Sequence, residues 1–378
     1  MLADTPPTPC PAVRQIAIGL ISGTSADGID AALIETDGET VFATGAALTH
    51  PYPAALRREL LDLMHDPRRA EHDPLTALEA AVTEANADAA RALLGRAGLD
   101  ASTVDVLGLH GQTVLHRPER RFTRQLGDGA ALHRALGIPV VNRFRHADLA
   151  AGGQGAPLAP LYHAALAEGL LGDDQGKLLA VLNLGGVANV TLAAKGGLLA
   201  FDTGPASALL DDWVCRHTGA PYDADGQIAA AGTVDAGRLA ALLAHPYFDL
   251  PPPKSLDRNA FPLAAVEGLS LEDGAATLAA FTAGSVARAR EHLGAVPGRW
   301  LVGGGGRRNP TLMALLRQAL APAAVEPVEA AGWDGDALEA QAFAFLAVRS
   351  LRGLPLSLPG TTGAPHPMPG GELHGAVA

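Results

Sequence analysis

Ile16-Ala-Ile-Gly-Leu-Ile-Ser-Gly-Thr-Ser-Ala-Asp-Gly-Ile-Asp30, running on into Ala31-Ala-Leu-Ile-Glu-Thr36, is the stretch on which the fold turns. Two apolar segments flank a short loop of glycine, hydroxyl and acidic residues. This is the pattern of a hairpin whose tip uses glycine for positive φ and close backbone approach. The design returns at Leu179-Ala-Val-Leu-Asn-Leu-Gly-Gly-Val-Ala-Asn-Val-Thr-Leu192. A third glycine run, Val302-Gly-Gly-Gly-Gly-Arg307, leads through Asn309 into a helical pattern at 310–321. Hairpin, hairpin, strand-to-helix loop is the order that a cleft between two similar lobes needs to hold a polyphosphate. Backbone N–H groups in such turns, with a helix N-terminus, bind phosphate without a basic side chain.

Outward from these loops the pattern alternates. A strand at 40–47 follows the first hairpin, then Ala-rich segments with apolar residues three and four apart predict helices at 54–65 and 74–97. A strand at 104–109 runs into Leu109-His-Gly-Gln-Thr113, read as a polar turn at a strand end, where open α/β sheets bind ligands. A strand at 122–126, a helix at 129–136 and a strand at 138–142 precede Asp148-Leu-Ala-Ala-Gly-Gly-Gln-Gly-Ala-Pro-Leu158, a structured loop at a domain junction. Beyond the second hairpin come a strand at 197–202, a helix at 206–218 and a polar insert through Ser255. A helix at 270–293, a strand at 300–303, a β segment at 324–328, a helix at 336–351 and a Pro/Gly-rich tail complete the chain. Strand-hairpin-strand, helix, strand, helix thus occurs twice, which predicts two duplicated α/β lobes around a cleft. The expected division is a disordered tail over 1–12, lobe I over 13–145 plus 337–378, and lobe II over 146–336.

Composition narrows the function classes. The 378 residues exceed one ordinary core, and 48% are apolar, so a sizeable interior is available. A net charge of −12 without a long Lys/Arg run argues against nucleic acid or an anionic membrane as partner. The short Arg clusters at 117–124 and 307–308 read as solvated loops. Cys10 and Cys215 are too few for a disulfide framework, no apolar run is long enough to span a bilayer, and a cytoplasmic protein is expected.

Several side chains are placed for chemistry. Asp27 and Asp30 at the first tip would repel phosphate unless a divalent cation such as Mg²⁺ lay between, although Asp27-Gly28 is also a common turn pair. Asp202, in Phe201-Asp-Thr-Gly-Pro-Ala-Ser207, ends a strand just before a helix, where it is either an N-cap or a general base. Tyr222-Asp-Ala-Asp-Gly226 and Pro251-Pro-Pro-Lys-Ser255 carry groups suited to an anionic ligand or to surface turns. Glu339 opens the last helix, where the helix dipole alone would favour it. No His pair has zinc spacing and no GxxxxGK[ST] segment occurs, so any ATP is bound by another scheme.

Gly19 to Asp30, His110-Gly-Gln-Thr113, 148–158, Asn183-Leu-Gly-Gly-Val-Ala-Asn189, Phe201 to Pro205, Tyr222 to Gly226, Pro253-Lys-Ser255 and Glu339-Ala-Gln-Ala-Phe-Ala344 occur in that order. Together they resemble the anhydro-N-acetylmuramic acid kinase family. The resemblance implies a two-lobed, ribonuclease H-like fold shared with sugar kinases, actin and Hsp70, and an ATP- and Mg²⁺-dependent phosphotransferase acting on an anhydro-sugar in cell-wall recycling. By that resemblance Asp202 is the catalytic base. Gly23, Thr24, Ser25, Ala26, Asp27, Gly28, Ile29 and Asp30 form one phosphate loop, with Asp27 on the metal. Asn183, Gly185, Gly186 and Asn189 form the second phosphate loop, and Gly303, Gly304, Gly305 and Asn309 the adenosine loop. Ser22, His110, Gln112, Asp148, Gly153, Gln154, Gly155 and Glu339 are expected on the sugar.

A homodimer and lobe closure over substrate are further expectations. The chain departs from the family pattern at Ala206-Ser207, Arg143 and Leu256-Asp257, which bears on substrate affinity more than on reaction class. The competing readings are a nucleotide-switched ATPase of the same fold and an exopolyphosphatase- or glycopeptidase-like member.

Overall fold

The computed structural model describes residues 13–23, 25–171, 178–194, 197–256, 260–294 and 296–376; the expected tail over 1–12 lies outside them. Two sheets organise the chain. The first takes β1 (Gln15–Ser22), β2 (Gly28–Thr36), β3 (Val41–Pro51), β4 (Val106–Arg117), β5 (Phe122–Leu126) and β6 (Val140–Asn142). The second takes β7 (Leu179–Leu184), β8 (Val187–Ala194), β9 (Gly197–Pro205), β10 (Arg299–Gly303) and β11 (Ala324–Pro327). The chain then returns to the first sheet with β12 (Glu372–His374), in the segment expected to be an irregular tail.

The strand orders are β12-β6-β4-β1-β2-β3, with β5 beside β4, and β11-β10-β7-β8-β9. In each sheet a three-stranded antiparallel meander, β1-β2-β3 or β7-β8-β9, continues through two strands parallel to its first member, β4-β6 or β10-β11. This is the duplicated ribonuclease H-like topology of the sugar kinase, actin and Hsp70 class.

The helices are α1 (Ala54–Met64), α2 (Pro67–His72), α3 (Thr76–Ala97), α4 (Gly129–Leu136), α5 (His146–Ala151) and α6 (Pro160–Leu171) on the way to the second sheet. They continue with α7 (Ser207–Thr218), α8 (Gln227–Ala231), α9 (Ala236–Leu243), α10 (Leu271–Ala289), α11 (Pro310–Leu320), α12 (Leu338–Leu351) and α13 (Pro359–Thr362). The polar insert before Ser255 therefore contains α8 and α9.

β1 is buried on both faces, which explains its unbroken apolar run. Ile18 and Leu20 join the core beneath α1 and α3, whereas Ala17 and Ile21 join the core around α12. On the α12 side, Gly19 and Gly108 let the helix approach. A Cβ on Gly19 would lie 1.8 Å from the Ala340 carbonyl oxygen, and one on Gly108 2.2 Å from that of Phe343. The same core includes Leu179, Ala193 and Leu301 from the second sheet, so α12 is packed between the two halves.

Candidate active site

At the first hairpin, Ser22 donates to Gln112 Oε1 at 2.6 Å while Gln112 Nε2 donates to the Gly23 carbonyl at 3.1 Å. These bonds tie the ends of β1 and β4. Asp27 is solvent-exposed and its Oδ1 is paired with Arg57 at 2.7 Å; the same guanidinium reaches the Ser25 carbonyl. Arg57 gave no sequence signal beyond its helical pattern. Asp30 accepts from Thr49 at 2.6 Å, and its pKa is raised by burial and by the charges of Asp336 and Asp27.

Positive φ at this tip falls on Ala26 (φ 50) rather than on Gly23 or Gly28, and it is absent from Gly185 and Gly186. The expectation that these glycines serve φ is corrected. For Gly23, Gly185 and Gly186 an added Cβ would meet no atom of this chain closer than 3.4 Å, and for Gly305 none within 4 Å. Packing of the chain does not require these glycines, and their bare backbone leaves space for a ligand. Gly28 differs, because its Cβ would strike the His50 carbonyl. Ile29 is buried core, and Thr24 lies outside the described residues.

Register across the second sheet aligns the remaining elements. Gly303 pairs with Asn183, Asn183 with Asn189, and Asn189 with Asp202, forming a single rung across β10, β7, β8 and β9. Directly opposed residues share a sheet face, and three strand spacings span roughly 14 Å. Thr203 is an extra residue in β9 beside this rung, a bulge of the kind that re-aims a neighbouring side chain.

The glycine turn after β10 folds against the rung. Gly304 (φ +74) has no room for a Cβ beside Asn183 and Leu184. Arg307, whose side chain is only 6% exposed, donates to the Gly304 carbonyl at 2.9 Å and pairs with Glu329 and Asp336. It is a buried clamp on the turn and not the solvated loop residue expected. Asn309 caps α11 through Leu312 N–H, so its side chain orients the helix that follows the turn.

Asp202 sits in a cradle made by the segment 247–256. Its N–H donates to the Lys254 carbonyl at 2.9 Å, its carbonyl accepts from the Tyr247 hydroxyl at 2.5 Å, and Leu256 N–H donates to Oδ2 at 2.8 Å. Asp202 is therefore not the N-cap of α7; Ala206 stands there, without a side-chain bond. Burial pushes the carboxyl up to about 7, opposed by the Leu256 N–H. Lys254 does not face an anion. Its ammonium is buried, donating to the Tyr247 and Phe248 carbonyls at 3.0 and 3.1 Å, and burial lowers it to about 8. Asp223 likewise receives the Ile228 and Ala229 N–H groups and starts α8. Asp257 lies outside the described residues.

His110 lies on β4, which continues unbroken through the segment read as a polar turn. Leu20 pairs with Leu109 and Ile21 with Gly111, so His110 is the extra residue of a bulge. Arg145 donates to His110 Nε2 at 2.9 Å, which leaves Nδ1 as the protonated nitrogen bonding the Gly111 carbonyl at 2.9 Å. Burial and the Arg145 charge hold this imidazole neutral.

Arg145 also reaches the Gly155 carbonyl at 2.6 Å. Asp148, expected on the sugar, is spent on the loop itself: it accepts from Gly155 N–H at 2.6 Å, from Thr362 at 2.5 Å and from Ser357. Gly153 must lack a Cβ because one would enter that carboxylate, and Gln154 N–H bonds the Thr362 carbonyl. Glu339 joins the groups: Asn183 donates to it at 3.0 Å, and its pKa is raised by its protein surroundings and by Asp30, with Arg145 pulling the other way. Its side chain remains solvent-accessible, so the upward push is partly screened.

Two glycine-tipped hairpins, a glycine turn and a carboxylate with a raised pKa stand on a duplicated α/β scaffold of the sugar kinase class. Residues 15–375 match the family model described as anhydro-N-acetylmuramic acid kinase. The chain is 57% identical over 357 residues to the protein of that name from Rhodospirillum rubrum, covering 94% of this chain and 93% of the relative. It is 54% identical over 370 residues to that from Rhizorhabdus wittichii, covering 96% and 99%. A ROK family glucokinase from Streptomyces griseus aligns with a TM-score of 0.39 and 17% identity over 88% of this chain and 99% of that one. The chain belongs to the anhydro-N-acetylmuramic acid kinase family.

Proposed function

We propose that the chain converts 1,6-anhydro-N-acetylmuramic acid, water and ATP into N-acetylmuramic acid 6-phosphate and ADP, with Asp202 as the base. The observation that carries this assignment is the rung Gly303–Asn183–Asn189–Asp202, which sets the base and both second-lobe nucleotide loops on one sheet face. Asp202 accepts a proton from water as the water oxygen bonds to C1. The C1–O6 bond breaks, and O6 takes the γ-phosphoryl group from ATP. A base with its pKa near the working pH suits this step, because it is ionised often enough to act yet basic enough to hold the proton.

Among the described residues Asp27, Asp30 and Glu339 do not form a group of three that could hold a metal ion. Asp30 and Glu339, each raised chiefly by burial and also by a neighbouring carboxylate, are the donors that a divalent cation would use together with phosphate and water. Mg²⁺ typically uses one or two carboxylates with phosphate and water, and when bound it neutralises charge on the phosphates. Asp27 is held by Arg57, which favours Asp30 and Glu339 as the nearer holders. Asn183 orients Glu339, and Arg145 fixes His110 and the Gly155 turn against the sugar. No helix among the described residues is long and apolar enough to cross a membrane. A cytoplasmic reaction is our inference from the use of ATP.

Turnover in ¹⁸O-enriched water with Mg²⁺-ATP, followed by mass spectrometry of the sugar, tests the assignment. The expected product is a 6-phosphate labelled at C1, lost in Asp202→Asn. ADP formation with unchanged sugar would overturn it.

A further inference from the structure

A cavity of about 540 Å³ opens between β5 and α5, and none of its lining residues belongs to the nucleotide loops or the Asp202 cradle. Its wall is basic in a chain of net charge −12. Arg121 is solvent-accessible and has no acidic partner among the described residues, where its guanidinium donates only to the Ala150 carbonyl, at 3.5 Å. Arg124 spends its guanidinium on the carbonyls of Ala70, Asp73 and Pro74, which anchors the group without neutralising it. Arg143 makes an exposed pair with Glu372 at 3.2 Å. The acidic wall residue, Glu71, is taken by Arg120 at 2.8 Å. His146 Nδ1 is buried without a hydrogen-bond partner, and Phe122 offers an apolar ring beside these groups.

Arg121 and Arg143 also hold left-handed backbone conformations, φ 53 and φ 55, which a long side chain adopts at a cost. The volume lies within the range for small-molecule sites and exceeds what a bare inorganic anion needs. Cations, an imidazole and an aromatic ring lining one cavity suit a sugar carrying an anionic group.

We propose that this cavity is a second ligand site that takes a monosaccharide phosphate, and that its occupancy acts on the substrate loop through α5. The connection is short. His146, Leu149 and Ala150 line the cavity, while Asp148 of the same helix holds Gly155 and the adjoining Arg145 holds His110. Arg121 Nη2 would lie 3.9 Å from a Cβ on Gly152, at the start of the glycine loop. The enzyme's own product belongs to the same chemical class, so the site provides product feedback. That last step rests on the function proposed above; the binding site itself does not.

The test is calorimetric titration of the full chain with glucose 6-phosphate and, separately, inorganic phosphate, using wild type and Arg121→Asn/Arg143→Asn. Asparagine tolerates the left-handed backbone, so charge is removed without adding strain. Arg121→Asn alone serves if the double variant does not fold. Glucose 6-phosphate should bind wild type and bind the variant at least tenfold more weakly, with inorganic phosphate at least tenfold weaker than the sugar phosphate. No binding, or equal binding to both proteins, overturns the site; inorganic phosphate binding as tightly overturns its assignment to a sugar. In turnover assays N-acetylmuramic acid 6-phosphate should lower kcat in wild type and act only competitively against sugar in Arg121→Asn, whose uninhibited kcat is unchanged. The titration needs no turnover, so it stands or falls apart from the ¹⁸O result.

Discussion

Asp202 is held in a state that costs stability above its raised pKa. Its carboxyl is pushed up to about 7, whereas in the unfolded chain it titrates near 3.9. Below about pH 4 both states are protonated and the residue contributes nothing. As pH rises towards 7 the unfolded state ionises first, so the native state loses stability and the cost is complete above 7. Asp202→Asn retains an acceptor for Leu256 N–H without the charge. It should therefore raise stability by on the order of 2 kcal/mol at pH 8, with no gain below pH 4, read by urea unfolding at the two pH values. In the same variant kcat should fall by roughly 10²–10⁴. The wild-type kcat/KM should lose activity on an acid limb near pH 7; a limb near 4 would show that burial does not raise the carboxyl on which activity depends.

The sequence leaves Lys254 open as a group for an anionic ligand or as part of a surface turn, and the fold makes it neither, for a reason invisible in sequence. Two backbone carbonyls and the Tyr247 ring, 4.7 Å away, surround its ammonium. Lys254→Met leaves those carbonyls unsatisfied, at about 1–3 kcal/mol, and loosens the cradle. The expected kinetic result is a fall in kcat larger than any rise in the KM for ATP; an effect on KM alone would mean the cradle does not position the base.

At the scale of elements, the glycines divide by task. Gly19, inside β1 and ahead of the hairpin tip, serves the contact of that strand with α12. Gly19→Ala forces the Ala340 backbone away and should cost on the order of 3 kcal/mol or more, as in other overpacked cores, seen as a lower denaturant midpoint. Gly305→Ala touches nothing in the chain, so stability should be unchanged while ATP affinity falls. Arg307→Ala removes the clamp on the Gly304 turn and should weaken nucleotide binding about tenfold by calorimetry, since a buried charged hydrogen bond is worth on the order of 1.5–3 kcal/mol. Element periodicity was legible for the hairpins, α3, α7 and α11. β12 was not, because a three-residue strand in a Pro/Gly-rich stretch has no period to detect and exists only because β6 offers it an edge.

Across the whole molecule, α12 links sheet, core and cleft. It packs against β1, β2 and β4, shares a core with residues of the second sheet and presents Glu339 to Asn183. We expect the lobes to close when sugar and a non-hydrolysable ATP analogue bind together, since an open cleft would let water compete for the γ-phosphate. Small-angle scattering should show a smaller radius of gyration for the ternary complex; identical curves for free and bound protein would exclude closure.

The sequence by itself determined the duplicated α/β plan, the glycine loops and the position of Asp202 at a strand end. Each of these rests on local signals, namely period, turn chemistry and residue order. Tertiary structure alone decided that Gly303, Asn183, Asn189 and Asp202 share one rung, that Glu339 from the far end of the chain meets Asn183, and that Arg307 and Lys254 are buried clamps. Register between strands and the desolvation that tunes a carboxyl arise from contacts between distant segments, and no window of sequence contains both partners.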